Sequence, residues 1–356
     1  MRFFGNASTA VTASYTVSNA DDGTTIAAGG NAFYTVSVGA ASGYNPDFVA
    51  MISNIDTSRG KSISINGYSS FILWPGQSFL LFNQGNAWQF NHPGRWVLAA
   101  GITWNVNAAS GSNSSDGLGT GSGAFATIQY AVNVLQSQID SRNFSLGIQL
   151  APGNYNENVL LLGQSSFGNS SIVFHGNPAS PTTVSWNATG PNGTALAVRD
   201  YAIAIVDGIR FTGNSTGQTA MSSSQFAVID FSNVEFGPFS GGSHLVVATN
   251  GSINYNGGSY VINGVMSSHW NVQSGGSMNV STAAINLPVG NAFNQFLYMT
   301  LNSNFQAYGT TFTGIGSGMG SSGLKYNVRA NSSASLGGAI LPGSTPGITA
   351  SGGQVF

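Results

Sequence analysis

From residue 201 to residue 286 the chain repeats itself every 25 residues. Residues 201–211, beginning Tyr201 and ending Phe211, align with 226–236, then with 251–261 and 276–286. Weaker echoes stand at 303–313 and 332–341, and upstream at 170–178. Such a period signals a solenoid, in which each unit buries its apolar side chains only by stacking on the next. The units hold short β-type stretches and none long enough for a helical pair, so the expected unit is one coil of a parallel β-helix. A step of 25, and of 27 to the echo at 303–313, predicts one internal column of Ile203, Val228, Ile253, Met278 and Phe305. It predicts a second of Phe211, Phe236 and Val261.

Charge is scarce, with 9 Lys+Arg and 11 Asp+Glu among 356 residues and a net charge of −2. That argues against nucleic-acid binding, which needs a basic footprint. With 42% hydrophobic and 11% aromatic residues the chain is no disordered tail. Its solubility must rest on neutral hydroxyl and amide groups, since glycine, serine and asparagine make up more than a third of the residues. Cysteine is absent, which excludes disulfides and thiolate chemistry. No apolar run approaches the length of a membrane span. The first six residues lack the apolar stretch of a signal peptide, so synthesis in a cytoplasm, with release by lysis if the protein acts outside a cell, is expected.

Ahead of the repeat, residues 1–98 read as short strands separated by turn signals such as Pro75-Gly76 and Gln84-Gly85-Asn86. Strands are expected at 33–38, 48–52, 62–65, 71–74, 78–82 and 88–90. This spacing predicts a small antiparallel β-sandwich or barrel. Residues 108–123 have linker composition. Phe125, Ile128, Ala131, Val132, Leu135 and Ile139 then recur at helical spacing, which predicts a helix over 124–139. Residues 341–356 read as an extended tail that covers the last coil unless a partner subunit does so.

Two stretches resemble known proteins. Residues 48–90 carry Ser53-Asn54-Ile55-Asp56-Thr57, then Leu73-Trp74-Pro75-Gly76-Gln77-Ser78, then Gly85-Asn86-Ala87-Trp88. This is similar to small β-modules near the start of phage tail fibres. The second stretch has the run Ala124–Gln129 with Ala131, followed by Pro152, Gly153, Tyr155, Glu157 and Val159. It resembles the start of a pectin-lyase-like right-handed parallel β-helix, whose amphipathic helix caps the coil stack. The resemblance implies an all-β protein: a small N-terminal β-sandwich or barrel (1–98) and a right-handed parallel β-helix with an N-terminal capping helix (99–340). It further implies a phage tail fibre, tailspike or head spike that forms homotrimers. In that reading the protein resides in the virion, docks to other virion proteins through its N-terminal domain, and binds a host surface polysaccharide.

That family also contains enzymes. Asp207, Asp230 and Glu235 are the carboxylates that could hydrolyse a glycoside as a pair. The alternative for them is structural: Glu235 stacks over Arg210, which predicts a cross-coil ion pair, and Asp207-Gly208 is a turn. The Asp-Phe-Ile-Phe-Gly and Gly-Arg-Pro-Trp stretches of pectin methylesterases do not occur, nor do the Asp-Asp and Gly-His-Gly pairs of polygalacturonases. The four histidines are scattered singly, so neither a metal nor a cofactor is expected. Asn113–Asp116 could chelate calcium or form a loop closed by an Asx turn. For sugar binding, Trp186, Tyr260, His269 and Trp270 are the candidates, with core packing as the alternative for each. Three functions stay open: glycan binding, polysaccharide cleavage on the same scaffold, and a purely structural capsid or baseplate role.

Overall fold

The computed structural model describes residues 7–163, 170–288, 291–314 and 323–356, so the signal-peptide question at residues 1–6 falls outside it. The chain forms two compact units. The first is Met1–Leu98 with Trp104–Ala126 and Ser137–Asp140; the second is Ala99–Thr103, Thr127–Gln136 and Ser141–Phe356.

In the first unit all six expected strands are present, among them Thr35–Val38, Val49–Asn54, Lys61–Ile65 and Ser78–Gln84. Ser8–Val11, Tyr15–Thr16 and Thr25–Ala28 add to them. A five-stranded and a four-stranded sheet share one core that includes Ile26, Val36, Phe48, Ile52, Ile63 and Leu81. The expectation of an antiparallel module is corrected here. Ser8–Val11 pairs with Thr25–Ala28, and that strand with Val49–Asn54, both in parallel. Thr35–Val38 likewise runs parallel to Lys61–Ile65. Over this part the chain crosses to the other sheet after each short strand, so consecutive strands do not pair. Antiparallel pairing begins with Lys61–Ile65, which pairs with Phe71–Leu73, and continues with Ser78–Gln84, which pairs with Val49–Asn54 and with Ala87–Phe90.

Residues of the 53–88 stretch hold this unit together. Asn54 is buried, and its amide donates to the carbonyls of Arg59 (2.9 Å) and Leu73 (2.8 Å). Gly76, at φ +76°, closes the Pro75-Gly76 turn, and its N–H donates to the Asn54 carbonyl. Trp88 Nε1 donates to the Gly39 carbonyl at 2.7 Å. Asp56 accepts from Lys61 Nζ at 2.7 Å, and both side chains are fully enclosed. Residues 108–123 are a loop, as their composition indicates, but one packed into this unit. Asp116 is buried and receives a two-pronged contact from Arg59, Nε at 2.9 Å and Nη2 at 2.8 Å, plus the Gly60 N–H. Its Oδ1 also accepts from Leu118 N–H, the Asx turn. Both carboxylate oxygens of Asp116 are thus engaged by Arg59.

The second unit is built from parallel strands. Three parallel sheets of ten, seven and eight strands collect every third strand of the chain, a parallel β-helix-like stack of coils. One coil reads Ile203–Asp207, Arg210–Gly213, Thr219–Ser223; the next reads Val228–Ser232, Val234–Phe236, Ser243–Val247. The echoes at 170–178, 303–313 and 332–341 supply Ser171–His175, Asn304–Gln306 and Ser333–Ser335, all in the ten-stranded sheet.

The predicted columns need a shift of register. Ile203 does pair with Val228, but Val228 pairs with Ser252, because that step is 24 residues. The buried column of the ten-stranded sheet is therefore Ala204, Ile229, Ile253, Met278, Phe305 and Ala334. Ile203 and Val228 lie on the other face, since one residue of slip reverses the side on which a strand residue points. In the seven-stranded sheet the aromatic column is Tyr155, Trp186, Phe211 and Phe236, continued by Ile262 and not Val261. Its rings stack at 5.6 Å from Trp186 to Phe211 and 6.0 Å from Phe211 to Phe236. In the eight-stranded sheet Leu196, Met221, Leu245, Trp270 and Leu297 stand in register.

The helix is Ile128–Gln138, shorter than expected at its start, where a single turn, Gly121–Gly123, precedes it. Its apolar face, Ile128, Ala131, Val132 and Leu135, is buried. Glu157 reaches back to the first turn and accepts the N–H groups of Ile128 (2.8 Å) and Gln129 (2.9 Å). A carboxylate there satisfies two orphan donors and complements the helix dipole. Burial raises the pKa of Glu157, and the two N–H bonds offset part of that rise. Glu157→Ala is expected to cost about 1 kcal/mol at pH 7 in a thermal melt, in the range of a lost cap; no change would show that the cap contributes nothing. Residues 341–356 are not merely a tail: Ile348–Thr349 and Gln354–Val355 pair with Leu324–Val328 and Ser333–Ser335 as the final partial coil.

Candidate carbohydrate-binding surface

The four aromatic candidates lie inside. Trp186, His269 and Trp270 are fully buried and Tyr260 is 1% exposed, so none meets a ligand at the surface. This corrects the sugar-binding assignment in favour of packing. Trp186 belongs to the aromatic column, with Nε1 donating to the Glu157 carbonyl at 3.1 Å.

The other three join His244 in an enclosed relay whose hydrogens are fixed by its ends. His244 Nε2 contacts the Gly237 carbonyl at 2.9 Å and must donate to it. In the neutral ring Nδ1 is then an acceptor, so His269 Nδ1, 2.7 Å away, is the donor. His269 Nε2 in turn accepts from the Tyr260 hydroxyl at 2.5 Å, whose oxygen receives Trp270 Nε1 at 3.1 Å. Burial drives the His244 pKa down to about 3 and that of His269 well below its usual value. Burial also lifts Tyr260 well above the usual tyrosine value. Both histidines are therefore neutral members of the core. The sequence reading sets His269-Trp270 where a loop leaves the coil; both stand inside the strand Ser268–Val272 and are covered.

The carboxylate candidates are divided between two sheets. Asp207 and Asp230 lie in the ten-stranded sheet, two register places apart, since Asp207 faces Ser232. Asp207 accepts from the Ser232 hydroxyl (2.7 Å) and the Asn233 amide (2.8 Å), and Asp230 from the Asn254 amide (2.9 Å). Glu235 is in the seven-stranded sheet, directly opposite Arg210, with Nε–Oε1 at 3.3 Å. The cross-coil ion pair read from the alignment is present. Each carboxylate is thus engaged by a neighbour, and the geometry does not set up an acid and a base around one bond. Among the described residues no group of three His, Cys, Asp or Glu side chains gathers to hold a metal. No helix among them is long and apolar enough to cross a membrane.

In the first unit a cleft of about 220 Å³ is lined by Trp74, His92, Arg95 and Gln138 among others. Its polar groups are turned to its own walls: Trp74 Nε1 donates to Gln138 (3.2 Å), and Gln77 Nε2 to the Gly94 carbonyl (2.8 Å).

The outer face of the coil stack offers more. Amides and hydroxyls bridge coil to coil, as in Asn156 with Asn187 (2.8 Å) and Asn187 with Thr212. Where the chain leaves the eight-stranded sheet for the ten-stranded one, seven successive coils turn through two consecutive left-handed residues. The second residue is Asn250, Gly275, Asn302, Asn331 or Gly352 in five of these turns, types that tolerate that region. In the other two it is Tyr201 (φ +65°) and Phe226 (φ +62°). A bulky side chain there costs on the order of 1–2 kcal/mol. Both are exposed, 71% and 52%, with rings stacked at 5.2 Å and only 6° apart. The sequence gives no warning of this, because an exposed aromatic cannot be told from a core one until inside and outside are assigned.

No family model, curated protein or solved structure matches the chain.

Proposed function

We propose that this protein is a virion appendage of the tail-fibre, tailspike or head-spike type that binds a host surface polysaccharide. In this reading the coils form a right-handed parallel β-helix, the helix Ile128–Gln138 caps it, and the chain assembles as a homotrimer. The first unit, a small β-sandwich, docks to the particle. Several weak sites acting together then give firm adsorption.

The observation that supports this reading is the outer face itself. It is a long parallel stack dressed with hydroxyl and amide ladders and almost free of charge. Such groups exchange hydrogen bonds with sugar hydroxyls without the desolvation that charged groups incur. Polysaccharide cleavage on the same scaffold is less well supported, because Asp207, Asp230 and Glu235 are engaged by Ser232, Asn233, Asn254 and Arg210. The test is the position of the subunit in a particle density map, together with adsorption by particles that lack it. A peripheral spike whose loss abolishes adsorption supports the proposal; a shell component whose loss leaves adsorption unchanged overturns it. Release of reducing ends or unsaturated sugars from host polysaccharide would favour the enzyme instead.

A further inference from the structure

We infer that Tyr201 and Phe226 form a saccharide-binding platform at one corner of the coil stack. The assignment rests on the glycan-binding reading above and gives it a place and a chemistry. The backbone here is held by the cross-coil bonds that run through all these turns, Tyr201 N–H to the Gln225 carbonyl (3.0 Å) and Gln225 N–H to the Thr249 carbonyl (2.9 Å). These keep both rings in turns where other coils use asparagine or glycine. A core gains nothing from the arrangement, since the rings point to solvent.

The occupant follows from size and surroundings. Among the described residues of the turn column the exposed rings are two, since the next turns are Thr249-Asn250 and Ser274-Gly275. A stable protein interface needs roughly 800 Å² from each partner, far more than two side chains supply. A pyranose ring suits the patch: its C–H face lies against an outer face of the stacked pair while its hydroxyls point outward. Asp200, Gln225 and Asn250 are exposed beside the rings, and among the described residues their side chains make no hydrogen bond to the chain. They offer acceptors and donors to those hydroxyls. A nucleic acid could also stack there, but its phosphates would meet Asp200 and a chain of net charge −2.

The test uses the full chain and a printed set of bacterial capsular and lipopolysaccharide O-antigen oligosaccharides, with affinities from titration against the bound glycans. The variants are Tyr201→Asn, Phe226→Asn and the double substitution. Asparagine is at home in these turns, so folding is preserved and Tm is unchanged or higher. The double variant is expected to bind roughly tenfold more weakly, the loss of two aromatic contacts. Wild-type affinity in the double variant would overturn the platform while leaving glycan binding intact. A wild-type chain that binds no glycan would overturn both the platform and the reading beneath it. A wild-type oligomer that falls apart in the double variant would overturn the platform by making the rings a contact between copies.

Discussion

Asp56→Ala is expected to destabilise the first unit by about 3–5 kcal/mol, the range for a buried ion pair that loses one partner. The Lys61 ammonium is wholly enclosed. Without Asp56 it keeps the carbonyls of Gly30 (3.1 Å) and Ala32 (2.9 Å) and the face of Tyr34, at 4.9 Å. None of these carries a full negative charge. Asp56 also ties the turn after Asn54, where it accepts the N–H groups of Ser58 (2.8 Å) and Arg59 (3.2 Å). Lys61→Met in the Asp56→Ala background removes the stranded charge and fills its volume, so the double variant should be the more stable of the two. Denaturant melts of both single variants and the double give the coupling energy. Additive losses, or a loss below about 1 kcal/mol for Asp56→Ala, would contradict a functioning buried pair.

Acid should weaken the coil stack well before most carboxylates are protonated. His244 and His269 have folded-state pKa values far below the ordinary histidine value, so the unfolded chain binds protons that the folded chain refuses. Their contribution is complete above about pH 6.5. It is lost as pH falls from there toward the folded values, at about 1.4 kcal/mol per histidine for each pH unit. Two other groups bracket this loss. Glu157, raised by burial, contributes in the opposite sense, because its folded form gains relative stability as it takes up a proton. Burial also opposes charge on Asp56, but the bonds from Lys61 and Ser58 prevail and hold it at about 2, so its contribution fades only below about pH 3.8. Melts between pH 7 and pH 4.5 should therefore show a loss of several kcal/mol, while histidine resonances of the folded chain stay those of neutral rings. Titration of either ring near pH 6.5 in the folded state would contradict the relay.

How far the fold was legible depended on whether a feature was local or a matter of register. The repeat was visible because Phe211 and Phe236 recur in the same strand context, and the helix because Ile128, Ala131, Val132 and Leu135 share one face. The first column failed at Val228, where the step is 24 residues, and the second after Phe236, where it is 26. A fixed offset cannot register that change, and strand alternation then exchanges inside for outside. The first unit was read as antiparallel because its turns are short. Crossing to the opposite sheet after each strand needs no longer a connection, and composition does not distinguish the two. Glu235 with Arg210 was legible because both stand at the same place in a 25-residue step. Trp186, Tyr260, His269 and Trp270 were misplaced because strand ends carry no mark in so repetitive a composition: all four stand within strands, not where loops leave the coils.

Because the chain has no cysteine, pairs of introduced cysteines report register without interference. Asp230 and Asn254 are direct partners in adjacent parallel strands of neighbouring coils. Such partners lie about 4.8 Å apart, within the Cα separation a disulfide accepts. Asp230→Cys with Asn254→Cys should oxidise almost completely within one chain, read by peptide mapping without reductant. Asp230→Cys with Tyr255→Cys, one residue out of register, should remain largely reduced, because the two side chains leave opposite faces. Failure of the first pair to close, or equal closure of both, would contradict the stacked-coil register from which the buried relay, the exposed aromatic corner and the acid response are all derived.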